Sequence, residues 1–171
     1  MSAVAFPIVT ERLRLRPLRP GDLDALAGIY LDPRVARWIG EHTREDVARE
    51  IAQHAAHQAA HGWSFWAVED RAAGRLIGDC GLQPLEHRGP DVELGYDFHP
   101  DVWGRGLAGE AARAVMELAF GALGLDRVVA VVKPDHVASQ RVLEKAGLRR
   151  VGVRHAYGEA MLLYEASRGA A

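Results

Sequence analysis

The chain has 171 residues, enough for one domain and short for two. Hydrophobic residues at 49% and charged residues at 26% exclude disorder along the whole chain. A formal charge of −2 supplies no global positive field for nucleic acid, and the single cysteine, Cys80, excludes an internal disulfide or a multi-cysteine zinc site. One thiol also fits a reducing cytoplasm. No apolar stretch approaches the roughly 20 residues that cross a bilayer. The opening MSAVAFPIVTERLRLR lacks a basic stretch followed by an apolar one, so no signal peptide is expected.

In chain order, Arg12–Leu18 alternates basic and apolar residues and reads as a strand. Leu13 and Leu15 share one face, and Arg12, Arg14 and Arg16 form a solvated row on the other. Gly21 and Asp22 open a short helix that Asp32-Pro33 interrupts. Thr43 and Asp46 resemble a capping box for a helix running to about Ala60, with Val47, Ile51 and Ala55 on one face. His54, His57 and His61 are helical neighbours. With no carboxylate or cysteine at matching spacing they read as surface or dipole-facing residues, and no metal is expected.

Strands are predicted at Trp63–Glu69 and Leu76–Gly81 about a turn at Ala73-Gly74, and again at Asp91–Asp97. In the last, Val92, Leu94 and Tyr96 share a face opposite Glu93 and Gly95. Leu107–Leu123 has helical periodicity, Val128–Val132 reads as a strand covered on both faces, and a short helix spans Val137–Ala146 before Gly147. An antiparallel pair, Val151–His155 and Met161–Glu165, closes the chain around Tyr157-Gly158. The order β-α-α-β-β-β-α-β-α-β-β predicts an α/β (mixed α+β) fold: a central mixed, mainly antiparallel sheet flanked by helices, in a single domain over 1–171.

The strongest chemical signal is Asp101–Glu110, DVWGRGLAGE, between a strand and a helix. Gly104 and Gly106 let the chain turn tightly and bare its amides, and the first turn of the next helix adds unpaired N–H groups and the positive end of its dipole. Such a loop cradles phosphates; a glycine turn without a ligand is the competing reading. A P-loop is excluded because no Gly-Lys followed by Ser or Thr is present. Gly104, Gly106 and Gly109 match a dinucleotide spacing, and Glu117 and Asp126 fall at rough distances, but Glu117 lies inside the helix and the preceding strand is the last of an antiparallel series. A second segment, Lys133–Gly147, turns at Pro134 and Asp135 into a helix whose first turn carries Ser139; Asp135 or His136 caps it. Arg141 and Lys145 lie four apart, on a positive edge or an ordinary helix surface. Trp38, Trp63 and Trp66 are read either as core or as lining for an acceptor site.

Four stretches together resemble the GCN5-related N-acetyltransferases (GNAT), in the RimJ/RimL-like branch of ribosomal-protein N-terminal acetyltransferases. They are TERLRLRPL, VELGYDFHPDVWGRGLAGEA, VVKPDHVASQRVLEKAGLRRVG and AMLLYEASR, in the family order. The resemblance implies a splayed GNAT-like sheet holding acetyl-CoA as cosubstrate between its fourth and fifth strands. By similarity Gly104, Arg105, Gly106, Leu107, Ala108 and Gly109 take the pyrophosphate. Trp103 stands where many relatives have Gln or Arg, and His136 where Asn is usual. His136, Ser139 and Arg141 complete the implied cofactor contacts.

The resemblance further implies direct attack by an amine without an acyl-enzyme. Glu93 is the expected base, directly or through water. A backbone amide near Tyr96 polarises the carbonyl. Ser139 either protonates the departing sulfur or only contacts CoA, and Tyr96 and Tyr157 are alternative acids. An α-amine of pKa about 8 is neutral in roughly a tenth of molecules at pH 7 and a lysine amine in under one in a thousand, so a partly exposed Glu93 favours an N-terminal amine. The first expected acceptor is therefore a protein or peptide N-terminus; a small amine such as an aminoglycoside, polyamine or amino acid is second, and a non-catalytic acyl-CoA binder third. The acceptor pocket is expected from the helices around Ala25–Ile39 and Val47–Ala60 and from the last hairpin. A homodimer is the assembly the resemblance allows, with neither membrane nor direct nucleic-acid partner.

Overall fold

A computed structural model describes residues 4–169; the ends of the expected 1–171 domain, 1–3 and 170–171, lie outside the described residues. The strands are β1 (Ile8–Val9), β2 (Leu13–Pro17), β3 (Phe65–Asp70), β4 (Arg75–Pro84), β5 (Val92–Phe98), β6 (Arg127–Val132), β7 (Arg149–Ala156) and β8 (Glu159–Ser167). The helices are α1 (Leu23–Tyr30), α2 (Pro33–Ile39), α3 (Arg44–His61), α4 (Leu107–Phe120) and α5 (Val137–Lys145). They build one eight-stranded sheet in the order β1-β2-β3-β4-β5-β6-β8-β7, antiparallel throughout except where β5 meets β6. The mixed sheet with helices on both faces is the expected architecture.

Strand alternation sorts the side chains into two cores. Leu13, Leu15, Cys80, Leu82, Leu94 and Phe98 face α4 and α5, where Ala111, Ala112, Val115 and Ala119 keep α4 close to the sheet. Phe65 and Ala67 face the other way and pack with Leu26, Ile29, Tyr30, Val35, Val47 and Ile51 of α1, α2 and α3. Cys80 is fully buried in the first core, which raises its thiol pKa and removes it as a nucleophile.

The structure adds two elements to the predicted order. One is the two-residue β1, whose ladder to β2 is too short to leave an alternating pattern. The other is α2: Asp32 ends α1 but also accepts from the Arg34 amide at 2.9 Å, with Pro33 at the first position, so the residue pair restarts a helix.

Two surface readings are corrected. The arginine row is not simply solvated: Arg16 pairs with Asp22 and Glu69 at 2.8 and 2.7 Å, and Arg12 with Glu110 at 2.7 Å. His54 is not on the surface either; it is buried, stacked on Phe65 and within 3.0 Å of Ser64 Oγ, and burial lowers its pKa to about 4. The Thr43–Asp46 capping box forms as read, each side chain accepting from the other's amide at 3.1 and 2.8 Å. Thr43→Ala should therefore cost about 1 kcal/mol, measured by denaturant unfolding, because two amides of the first turn of α3 lose their organisation.

Candidate active site

The site begins with a break in the sheet. β5 and β6 share a single ladder pair, Glu93 opposite Val129. On either side the ladders are continuous, from Gly78–Pro84 against Val92–Phe98 and from Arg127–Val132 against Leu162–Ser167. Past Glu93, alternate peptide groups of β5 that point away from β4 have no strand to bond. A parted pair of strands with free amides and carbonyls suits a ligand that carries amides of its own.

The mouth of this gap is the glycine loop. Gly104 and Gly106 both lie at φ +76°, in the left-handed region. The amides of residues 104 to 109 donate to no acceptor among the described residues; the first to do so is Glu110, to the Gly106 carbonyl. Six consecutive free N–H groups at the start of a 14-residue helix leave this loop able to receive an anion. Arg12 braces it from β2: its Nε bonds Glu110 at 2.7 Å and its Nη1 bonds the Arg105 carbonyl at 2.8 Å, while Thr10 donates to Glu110 at 2.6 Å. The loop is held from outside, so its amides need no internal partner.

Glu93 sits where the strands part and is only 5% exposed, which corrects the expectation of a partly exposed base. Tyr157 Oη donates to its carboxylate at 2.5 Å and Gln83 Nε2 at 3.1 Å. Burial pushes its pKa up, and the two donors only partly oppose that shift. Tyr157 comes from the β7–β8 hairpin, where it adopts φ +51° followed by Gly158 at +82°. A tyrosine in this left-handed turn is strained, and the turn is anchored by Tyr157 N donating to Glu86 at 3.0 Å. The strained geometry delivers the phenol to Glu93.

The other expected chemical residues lie on the opposite pleat. Tyr96 Oη lies 2.8 Å from Ser139 Oγ and donates to the Ser139 carbonyl at 3.0 Å, tying β5 to the first turn of α5. Burial raises the Tyr96 pKa. His136 caps α5 by accepting from the Ser139 amide and stacks on Trp38 of α2 at 3.8 Å, so α2 reaches across the gap to α5. Tyr96, Ser139 and His136 thus form one group on the α5 side, and Glu93 stands apart on the α1–α3 side. Arg141 is exposed on α5, and Trp103 is 46% exposed with its indole N–H donating to the Phe98 carbonyl at 2.8 Å, at the rim of the loop. Of the other tryptophans, Trp66 is buried core and Trp63 packs edge-on to His57.

Sequence reasoning missed Asp79 and Asp97. They stand opposite each other on β4 and β5, on the same face as Glu93. Their signal was an acidic residue inside each of two apolar strands, GDCGL and ELGYDF. It also gave Tyr157 no partner, although a tyrosine before glycine in a tight hairpin turn is unusual.

Residues 12–149 match the family model described as an acetyltransferase (GNAT) domain. An uncharacterized N-acetyltransferase of Bacillus subtilis, YoaA, is 34% identical over 157 residues, spanning 89% of this chain and 88% of that protein. A GNAT-family acetyltransferase structure from Bacillus anthracis superposes with a TM-score of 0.81 at 26% identity, covering 95% and 98% of the two chains. An acetyltransferase structure from Agrobacterium tumefaciens gives 0.83 at 26% identity over 98% of each. The bracing of the loop by Arg12 has a direct consequence. Arg12→Ala should weaken CoA binding about tenfold in calorimetry, equivalent to about 1.4 kcal/mol, with Tm nearly unchanged.

Proposed function

The chain belongs to the GNAT acetyltransferase family and is an acetyl-CoA-dependent acetyltransferase; from that premise we propose that it acetylates a primary amine by direct attack, with Glu93 taking the amine's proton. The observation that carries this reading is the buried Glu93 at the single point where β5 and β6 meet, with the gap and the amide cradle beyond it. Acetyl-CoA supplies the activated acyl group. The amides of residues 104 to 109 hold its diphosphate, and the free peptide groups of β5 past Glu93 pair with its amide-bearing arm. One of those N–H groups, aimed at the acyl oxygen, stabilises the charge that develops there.

Glu93 faces the α1–α3 side, from which the acceptor enters. Its raised pKa makes it a stronger base than an ordinary carboxylate, and Tyr157 fixes its orientation. Tyr96 and Ser139, joined on the other side of the gap, supply the proton for the departing sulfur or hold the arm in place; Arg141 and Trp103 flank the diphosphate. His136 keeps α5 capped and roofs the gap with Trp38. Nothing in this chemistry needs a metal.

Two acceptors fit. The RimJ/RimL-like resemblance favours a protein N-terminal amine. The structure's own chemistry favours a small cationic amine, for two reasons. A buried base of raised pKa weakens the argument that only an α-ammonium is acidic enough to be deprotonated, and the acceptor side carries two further acids, Asp79 with one carboxylate oxygen unpartnered and Asp97 opposite it.

Glu93→Gln should lower kcat/KM for any accepted amine by about a hundredfold in a thiol-release assay while the Kd for acetyl-CoA changes less than twofold. In the wild type, kcat/KM falls as the pH drops through a value above the ordinary carboxylate range, because Glu93 then holds its proton; the Gln variant should lose that acidic limb. Tyr157→Phe should move the limb and lower kcat more than it raises KM. An unchanged turnover in Glu93→Gln at matched pH would reject the base.

A further inference from the structure

Asp79 is 0% exposed, and Oδ1 of its carboxylate has no hydrogen-bond partner. Its other oxygen accepts from Tyr30 Oη at 2.5 Å. A buried carboxylate oxygen left unpaired is costly, and native structures keep few of them. Directly across the ladder is Asp97, partly open to solvent. Side chains opposite each other in an antiparallel pair stand about 5 Å apart at Cβ, so the two carboxyls share one small space. Burial raises both pKa values, aided at Asp79 by the charge of Asp97 and at Asp97 by Glu50, so that Asp97 reaches about 7.

The groups that face this space come from every element around it: Tyr30 of α1, His42 of the loop before α3, Glu50 of α3, and Glu93 further along β5. His42 is committed to Glu50 at 3.1 Å. The leading charges acting on the two aspartates are acidic, and the one cationic influence among them is His42. The cluster is acidic with one orphaned oxygen, and Asp97, whose pKa is about 7, is the member that a bound cation would draw into the charged form. Among the described residues no three His, Cys, Asp or Glu side chains converge as metal ligands, so an organic ammonium is the better complement.

Its position relates it to the reaction. Along β5 the same face carries Glu93, Gly95 and Asp97 in turn. Gly95 leaves room only for the edge of Phe65, whose Cζ lies 2.4 Å from where a Cβ would be. The face therefore runs from carboxylate through an apolar glycine–phenylalanine step to a carboxylate pair. Glu93 and Asp97 are four residues apart, about 13 Å between Cα atoms in an extended strand. After allowing for side-chain reach, two amines bound at the two ends would be on the order of 10 Å apart.

We propose that Asp79 and Asp97, with Tyr30 and Glu50, form a cation subsite, and that the acceptor is a linear polyamine whose far terminal ammonium group occupies it while its primary amine meets Glu93. The inference rests on the acetyl-transfer reading and adds the acceptor class. A methylene chain joining the two ends would cross the edge of the Phe65 ring that covers Gly95, an apolar surface. A peptide would need backbone partners, and the facing side chains are carboxylates with one phenol and one imidazole. Asparagine at position 97 keeps the shape and removes the charge.

The test compares spermidine with butylamine as acceptors, in wild type and Asp97→Asn, with Asp24→Asn on the exposed surface of α1 as the charge control. The wild type should show a KM for spermidine at least tenfold below that for butylamine. Asp97→Asn should raise the spermidine KM at least tenfold with the acetyl-CoA KM unchanged within twofold, and Asp24→Asn should leave the spermidine KM as it was. Equal KM values for the two amines in the wild type would overturn the subsite and leave the acetyltransferase reading standing, as would a preference confined to a peptide N-terminus. No acetylation of any amine, by contrast, would defeat the transfer reading itself. Spermidine binding to the CoA-loaded protein in calorimetry, lost in Asp97→Asn, would then still support the subsite.

A second readout separates a bad fold from a lost site. Both folded-state pKa values are raised, so the folded protein holds these protons more tightly than the unfolded chain does. Stability is then greatest below the ordinary carboxylate range and falls as the pH rises through about 7. Asp97→Asn should have a higher Tm than wild type at pH 8, and spermidine should raise the Tm of the wild type alone. A variant that loses Tm at pH 8 together with spermidine binding would indicate a structural role for Asp97 and overturn the proposal.

Discussion

Among the described residues, Glu93 opposite Val129 is the only backbone pairing that joins the two halves of the sheet, and the rest of the site follows from its being single. Each half is fully paired on its own: β5 to β4 through seven positions and β6 to β8 through six. Both halves carry the ordinary strand twist, and they diverge once the one pair is passed. The price is a set of peptide groups along β5 with no strand partner. In an enclosed protein interior that cost is sustained only where a ligand with matching donors and acceptors enters. The wedge is thus the least self-sufficient part of the fold and, on the proposed reading, its binding site.

The strand alternation of β5 then divides the chemistry. Leu94, Tyr96 and Phe98 point toward α4 and α5, where Tyr96 locks onto Ser139. Glu93, Gly95 and Asp97 point toward α1 and α3. On the proposed reading, the departing thiol leaves on the hydroxyl-rich side and the amine enters on the acidic one. Within the acidic side the carboxylates differ in support. Glu93 has two donors, from Tyr157 and Gln83, which orient it as a base. Asp79 has one oxygen satisfied and one not, as suits a group that meets its partner only when substrate is present. Low dielectric around all three raises their proton affinity, so the amine face is tuned by burial as much as by residue type.

Contacts distant in sequence hold this arrangement in place. Arg12, on β2, bonds both a side chain and a carbonyl of the loop nearly a hundred residues later. Tyr157, at the far hairpin, reaches Glu93 from a strained turn. Trp38 stacks on His136 and closes α2 over α5. Each brace leaves the ligand-facing groups free because it acts from behind or from the side. Preorganisation of this kind keeps donors pointed where charge develops without reorganising them during the reaction.

The amino-acid sequence alone determined the elements whose signals are local. Alternation in RLRLRPL and VELGYDF, the Thr43–Asp46 box, the glycines at 104 and 106 and the covered strand VVAVV each act over a few residues, and all took the form they predict. The loop of bare amides was legible for the same reason, since unpartnered amides at a helix start need only a local turn. Tertiary structure decided what depends on side chains meeting across strands. It placed Glu93 in a buried setting, gave it Tyr157, turned an apparently solvated arginine row into braces, and set Asp79 against Asp97 in one register. Register and burial are properties of the packed sheet, and a one-residue slip in the β4–β5 ladder would have separated the two aspartates without changing a letter of the sequence.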